Sequence, residues 1–223
     1  MFCWFIVLYK LLTLCMFIRL NPDKIDYNQL NKAVEVLKNG GIIVYPTDSV
    51  YALGCDLMNL KAVEKICKLK NIKPEKSTFS FICPDLSSLS NYTKPISNTI
   101  FRVMKKALPG PYTFILEANS NVPKLLKQSR KTVGIRVPAN NICKELTNAL
   151  GNPIISTSLH NNEDDLMNYF TEPLLIYERY GDVVDLVIDG GYGSIYPTTV
   201  IDCSNNEIEV IREGIGELSV LEL

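Results

Sequence analysis

The segment GGIIVYPTDSVYALG, residues 40–54, joins the pattern of a buried strand to a turn rich in hydroxyl groups. Ile42 to Tyr45 is a short β-branched and aromatic run, which is typical of a strand buried on both faces. Pro46 ends this strand, because proline has no N–H for a neighbouring strand. We expect the turn that follows to present oxygen atoms outward, where α/β proteins commonly place binding sites. These oxygens belong to Thr47, Asp48, Ser49 and Tyr51.

This turn is either part of a binding site or an ordinary polar turn after a core strand, which needs no function. The rest of the chain decides between these two interpretations. The 223 residues are enough for one α/β domain whose core needs no covalent cross-links. The formal net charge is -1, so any cationic site must be local. Seven widely spaced cysteines and one histidine indicate neither a disulfide framework nor a zinc site. We expect buried thiols, a reducing compartment and a cytoplasmic location.

Residues 2–20 form a nearly continuous apolar stretch with two interpretations. The stretch has the hydropathy of a membrane anchor, but Lys10 at its middle is costly in hydrocarbon, and no signal-peptide cleavage pattern frames it. We favour an N-terminal extension over residues 1–15, with Met16 as an alternative start and the domain running over residues 16–223. This interpretation predicts no stable membrane contact and a first strand at residues 17–20.

Hydrophobic periodicity predicts an α/β fold. Helices are expected over residues 27–38, 60–70, 97–108 and 142–150, because each segment carries apolar residues on one face. Another helix is expected up to about Gly181, after an acidic peripheral insertion around residues 163–165. Besides the strand at residues 42–45, the predicted strands cover residues 78–83, 114–116, 132–138, 154–158, 186–189, 198–202 and 208–212. The last two are predicted to pair through a turn at Asn205 and Asn206.

Hydrogen-bond donors collect where these strands begin or end. They are Thr47, Thr113, Arg136, Ser156, Ser158 and Thr198. Arg136 interrupts an apolar strand, so it either faces solvent or points into a cleft to bind an anion bidentately. A lysine cluster follows the second predicted helix and is either a solvated helix end or a polyphosphate clamp. It comprises Lys68, Lys70, Lys73 and Lys76.

This set of residues is rich in donors and poor in acids and bases. The sequence shows no nucleophile–histidine–acid set, no Walker loop and no Gly-x-Gly-x-x-Gly after the first strand. We therefore expect positional chemistry without a catalytic side chain. Phosphoryl or nucleotidyl transfer suits such a site, because its transition state mainly needs alignment and charge neutralisation, usually with Mg²⁺.

Four ordered motifs carry a resemblance to a known family. They are YPTDSVYALG at 45–54, LPGPYTFIL at 108–116, GIRVP at 134–138 and STS at 156–158. Together they resemble the threonylcarbamoyl-AMP synthase family, the YrdC-like domain, over residues 28–214. The YciO-like branch is the most similar, because it shares the strand PTTVID at 197–202 and the ending REG at 212–214.

The resemblance implies a single YrdC-like domain, with a twisted mixed parallel and antiparallel sheet flanked by helices around a concave positive cleft. It implies that L-threonine, bicarbonate and ATP, with Mg²⁺, give threonylcarbamoyl-AMP and pyrophosphate, and that a partner threonylcarbamoyl transferase then modifies tRNA. It assigns threonine binding to Thr47, Tyr51, Thr113, Arg136 and Ser156. It assigns ATP binding to Lys70, Lys73, Pro109, Ser158, Thr198 and Arg212.

Two positions depart from the family pattern. Lys-x-Arg becomes Lys70-Asn71-Ile72, which removes a bidentate phosphate ligand that Lys73 replaces only as a point charge. Ser-x-Asn becomes Ser158-Leu159-His160. The alternative function is therefore a weakly active or non-catalytic paralogue that binds tRNA or double-stranded RNA through the same cleft.

Overall fold

A computed structural model describes residues 15–74, 77–123, 126, 131–159 and 170–221. The described residues form one ten-stranded mixed sheet with helices on both faces. The strands are β1 Met16–Arg19, β2 Ile43–Tyr45, β3 Ala52–Asp56, β4 Ser80–Ile82, β5 Tyr112–Glu117, β6 Thr132–Arg136, β7 Ile154–Ser158, β8 Leu186–Asp189, β9 Thr199–Asp202 and β10 Glu209–Arg212. The α-helices are α1 Tyr27–Lys38, α2 Leu60–Leu69, α3 Asn98–Ala107, α4 Asn141–Leu150 and α5 Pro173–Tyr180.

The strand order is β1-β8-β2-β3-β7-β4-β6-β5-β9-β10. The pairs β1–β8, β8–β2, β4–β6 and β5–β9 are parallel, and the remaining neighbours are antiparallel. The predicted α/β class with a mixed sheet is confirmed. The predicted turn at Asn205 and Asn206 does join antiparallel strands, β9 and β10, and Asn206 has a positive φ of 61°.

Alternation along the strands separates two cores, because successive side chains of a strand point to opposite faces. On one face, which we call the α1/α4 face, Leu30 and Leu37 of α1 and Leu146 of α4 pack against Tyr45 and Ile154. The opposite core contains buried residues of α2, α3 and α5 together with Val44, Leu53, Phe81, Phe114 and Ile135.

The sequence interpretation missed strand β3, which pairs with β2 and β7 in antiparallel orientation. All five of its residues are buried. Gly54 and Asp56 disfavour a strand by intrinsic propensity, which explains the omission. Gly54 is nevertheless required by packing, because a Cβ atom there would lie 2.7 Å from Tyr45 Cε1 and 2.7 Å from Ile154 Cγ2.

Strand β1 confirms the predicted first strand with a shift of one residue. The predicted extension falls almost entirely outside the described residues, as do the acidic insertion and His160. Among the described helices, none is both long and apolar enough to cross a bilayer. Six of the seven cysteines are described, and all six are buried free thiols, as expected.

Candidate functional site

A cavity of about 910 Å³ lies over the part of the sheet where β3, β7, β4, β6, β5 and β9 meet. Strand register explains the concave floor. Ala52, Ser80, Gly134 and Ser156 share the side of the sheet that carries Tyr45 and Ile82, and all four have small side chains or none. None of the described lining residues belongs to α1 or α4. The α1/α4 face is therefore open at these strands.

The cavity carries positive charge. Lys70, Arg136 and Arg212 line it, and no aspartate or glutamate is among its described lining residues. In the part of the chain that the structure describes, no group of three or more histidine, cysteine, aspartate or glutamate residues could hold a metal ion. The three cations and the lack of lining carboxylates make the described part of the site suitable for anions.

Arg136 is buried at the end of β6, so the solvent-facing alternative is wrong. Its Nη2 atom contacts Asp48 Oδ1 at 2.9 Å, Ser49 Oγ at 3.1 Å and Thr47 Oγ1 at 3.4 Å. The other oxygen of Asp48 accepts a hydrogen bond from the Ala139 amide at 2.8 Å, which fixes the carboxylate. In the part of the chain that the structure describes, the buried Nε atom of Arg136 has no hydrogen-bond partner. Nη2 of the guanidinium is thus held by the turn after β2, whereas the hydrogen-bonding capacity of Nε is unused among the described residues.

The turn after β2 meets its expectation only in part, because Ser49 lines the cavity whereas Thr47, Asp48 and Tyr51 are not among its described lining residues. Asp48 turns towards Arg136, and Ser49 and Tyr51 are both 1% exposed. The Tyr51 hydroxyl donates to the Gly191 carbonyl at 2.6 Å and accepts from the Gly190 amide at 3.1 Å. Burial raises the pKa of Tyr51 to about 12. Tyr51 therefore ties the turn to the loop after β8, and neither it nor Thr47 is among the described lining residues.

Ser156 and Ser158 lie two residues apart on β7 and both line the cavity. The hydroxyl of Tyr45 donates to Ser156 Oγ at 2.7 Å. Lys70 follows α2 and its Nζ atom donates to the Ser158 carbonyl at 3.1 Å. Burial lowers the pKa of Lys70, because a charged amine is poorly solvated there.

Thr113, Thr198 and Arg212 form a second polar group at the β5, β9 and β10 end of the cavity. The hydroxyls of Thr113 and Thr198 lie 2.9 Å apart. The Arg212 guanidinium donates to the Thr198 carbonyl from Nη2 at 2.9 Å and from Nε at 3.2 Å. Parallel pairing of β5 with β9 brings these residues together, although 85 positions separate the two threonines.

Seven of the eleven predicted site residues line this one cavity: Thr113, Arg136, Ser156, Lys70, Ser158, Thr198 and Arg212. Lys73 and Pro109 are exposed and, like Thr47 and Tyr51, are not among the described lining residues. Lys76 lies outside the described residues. The sequence interpretation did not select Ser80, which lines the floor, and gave no role to Tyr45. Strand alternation would have placed Ser80 on the same side as Ile82.

Comparison with known proteins gives a family. Residues 35–214 match the Sua5/YciO/YrdC family model, which is described as telomere recombination. The chain belongs to the Sua5/YciO/YrdC family. Within this family it is 44% identical to YciO of Escherichia coli over 203 residues, which cover 91% of this chain and 97% of that protein. It is 30% identical to a threonylcarbamoyl-AMP synthase of Coxiella burnetii over 185 residues, with 82% and 97% covered.

Solved structures of the Sua5/YciO/YrdC family have the same fold. The crystal structure of E. coli YciO superposes with a TM-score of 0.84 at 43% identity, covering 93% of this chain and 99% of that one. A crystal structure of P. abyssi Sua5 complexed with L-threonine superposes with a TM-score of 0.80, covering 89% of this chain and 57% of that one. Its identity of 24% shows a shared fold alone.

Proposed function

We propose that this protein is a nucleotidyltransferase of the threonylcarbamoyl-AMP synthase type. The observation that carries the proposal is the cavity itself, where Arg136, Lys70 and Arg212 converge with several hydroxyls and no described lining carboxylate. Such a site suits two anionic substrates that must be aligned, because fixed cations and hydroxyl donors stabilise developing negative charge. The relationship to the C. burnetii synthase supports the same reaction class.

The amino-acid end of the cavity is proposed to lie at Arg136. Its buried Nε atom has no hydrogen-bond partner among the described residues, and Ser156 and Thr113 line the same cavity as Arg136. A carboxylate or carbamate oxygen that accepts from Nε would satisfy this donor, which is otherwise costly to bury. P. abyssi Sua5, which shares the fold, has been crystallised with L-threonine, and this supports the choice of an amino acid as a ligand but not its position.

The nucleotide end is proposed to lie at Lys70, Ser158, Thr198 and Arg212. Lys70 contacts β7 and Arg212 contacts the residue before β9, so the two cations approach the cavity from different elements. They would neutralise the polyphosphate of ATP. Because no described lining residue is a carboxylate, Mg²⁺ is proposed to enter with ATP, bound mainly by phosphate oxygens and water.

The proposed reaction has two balanced steps. The amine of L-threonine combines with bicarbonate to give the N-carboxylate and water. An oxygen of this carbamate then attacks the α-phosphorus of ATP, the bond from that phosphorus to the bridging oxygen of the β-phosphate breaks, and pyrophosphate leaves. The protein contributes alignment and charge neutralisation, which are the main requirements of phosphoryl and nucleotidyl transfer.

The test is threonine-dependent pyrophosphate release by the purified protein with ATP, bicarbonate and Mg²⁺. We expect Arg136→Ala to lower kcat/KM for threonine by about a hundredfold or more, because a charge-assisted hydrogen bond is lost and Asp48 is left unpaired. Arg102→Ala is the matched control, since Arg102 is an exposed arginine on α3, outside the cavity. Wild-type release no faster than that of Arg136→Ala would refute the synthase proposal.

A further inference from the structure

Tyr45 belongs to the buried core, yet its hydroxyl reaches the cavity lining. The side chain is fully buried among residues of the α1/α4 face. Its hydroxyl donates to Ser156 Oγ at 2.7 Å, and Ser156 lines the cavity. Tyr45 itself is not among the described lining residues, and the hydrogen bond to Ser156 links its hydroxyl to the cavity.

The packing that allows this contact is specific. Tyr45 is on β2 and Ser156 is on β7, with β3 between them. In the antiparallel register Ser156 pairs with Gly54 of β3. A Cβ atom on Gly54 would lie only 2.7 Å from Tyr45 Cε1, so the tyrosine ring lies against the glycine backbone. The missing side chain at Gly54 makes room for the ring to extend from β2 towards β7.

The direction of this hydrogen bond determines what Ser156 can offer to a ligand. Burial raises the pKa of Tyr45 far above its ordinary value, so the hydroxyl keeps its proton at every working pH. A serine hydroxyl has one hydrogen and two lone pairs, and Tyr45 occupies one lone pair. The Ser156 hydrogen is consequently directed to another acceptor.

We propose that Tyr45 is a positioning residue that makes Ser156 a hydrogen-bond donor to an anionic oxygen of the amino-acid substrate. The inference rests on the proposed function and specifies the chemistry of one subsite. A donor hydroxyl in a cavity that the Arg136 guanidinium also lines selects carboxylate or carbamate oxygens over ammonium groups. Tyr45 would therefore influence affinity for threonine and not for ATP.

A double-mutant cycle tests this role, using Tyr45→Phe, Ser156→Ala and the double variant. Tyr45→Phe removes one hydroxyl and leaves the ring that packs on Gly54. We expect it to lower kcat/KM for threonine about five- to tenfold, mainly through KM, while KM for ATP changes less than twofold. We expect the double variant to match Ser156→Ala alone, because Tyr45 acts only through that hydroxyl.

Tyr112→Phe is the matched control. Tyr112 is a buried tyrosine of the opposite core, and its hydroxyl donates to the Glu217 carbonyl at 2.9 Å. Removal of the Tyr112 hydroxyl should lower the free energy of unfolding in urea by about as much as Tyr45→Phe does. It should leave KM for threonine within twofold of the wild-type value. Equal effects of the two phenylalanine variants on KM for threonine would mean that Tyr45 is merely structural.

The outcomes separate this inference from the proposed function. If the wild type turns over but the effects of Tyr45→Phe and Ser156→Ala on kcat/KM for threonine are independent and multiply in the double variant, only the positioning role is refuted. If turnover is too slow to measure, the Kd of L-threonine, measured by calorimetry for the wild type and the three variants, provides the same double-mutant cycle. A wild-type protein that neither binds threonine nor releases pyrophosphate refutes the proposed function, and the role of Tyr45 with it.

Discussion

Arg136 and Lys70 are cations whose surroundings, more than their residue types, determine their behaviour. Arg136 is buried and its Nη2 atom is paired with Asp48 at 2.9 Å, while its Nε atom has no partner among the residues that the structure describes. Lys70 is half-buried and donates to a backbone carbonyl, an acceptor without full charge. Burial therefore favours the neutral amine, and the pKa of Lys70 lies below its ordinary value.

At the residue scale, the lowered pKa of Lys70 predicts an alkaline limit on ATP use. Only the protonated amine neutralises phosphate, and Lys70 loses its proton at a lower pH than an ordinary lysine. We expect kcat/KM for ATP to fall as pH rises through that pKa. Lys70→Arg should move the fall to higher pH, because arginine stays charged throughout this range.

Full pH profiles of kcat/KM for ATP and for threonine measure this effect. The Lys105→Arg variant is the control, since Lys105 is an exposed lysine on α3. An alkaline limb that stays in place in Lys70→Arg would show that another group is responsible.

At the scale of elements, the β2–β3–β7 unit holds the floor of the cavity together. Gly54 of β3 lies against both Tyr45 and Ile154, and a Cβ atom there would also lie 2.9 Å from the Ile155 carbonyl oxygen. Gly134 of β6 is different, because its nearest neighbour would be Thr113 Cγ2 at 3.4 Å, an ordinary van der Waals contact. Both positions belong to the sheet, but only one of them has no space for a side chain.

We predict that Gly54→Ala destabilises the protein by roughly 1–3 kcal/mol, the usual cost of overpacking a core. Gly134→Ala should leave the free energy of unfolding within about 1 kcal/mol of the wild type, because φ is not positive there and the methyl group fits. Urea unfolding at constant m-value measures both. Equal stabilities of the two variants would contradict the packing described for β3.

At the scale of the whole molecule, the charge distribution bears on the RNA-binding alternative. The net charge of the chain is -1, and the cations of the cavity are Lys70, Arg136 and Arg212 among its described lining residues. Binding that depends on phosphate contacts weakens with salt in proportion to the number of phosphates neutralised. Three cations therefore limit how salt-dependent binding through this cavity can be.

For double-stranded RNA we expect weak binding, with log K falling against log salt at a slope no steeper than about -3. Filter binding over a range of about 50 to 200 mM salt measures this slope. Lys70→Ala should reduce it by about one if the cavity makes the contacts. A slope of about -5 or steeper, unchanged in Lys70→Ala, would place the contacts on another surface.

Local patterns in the chain were sufficient to predict most elements and the fold class. The helix predicted over residues 27–38 has the bounds of α1, because its apolar spacing and the glycines at 40 and 41 are local signals. Strand β3 was not, since its glycine and aspartate disfavour a strand and are accepted only because neighbouring strands bury them.

Local sequence patterns do not predict which residues the site residues contact. Motifs identified seven residues that line the cavity, but the pairing of Arg136 with Asp48 spans 88 positions and the contact of Tyr45 with Ser156 spans 111. Sheet register determines these contacts, and no local preference encodes it. The sequence therefore determines which types of hydrogen-bond donor the site contains. The packing of the strands determines where these donors point, how deeply they are buried and how Tyr45 comes to contact Ser156.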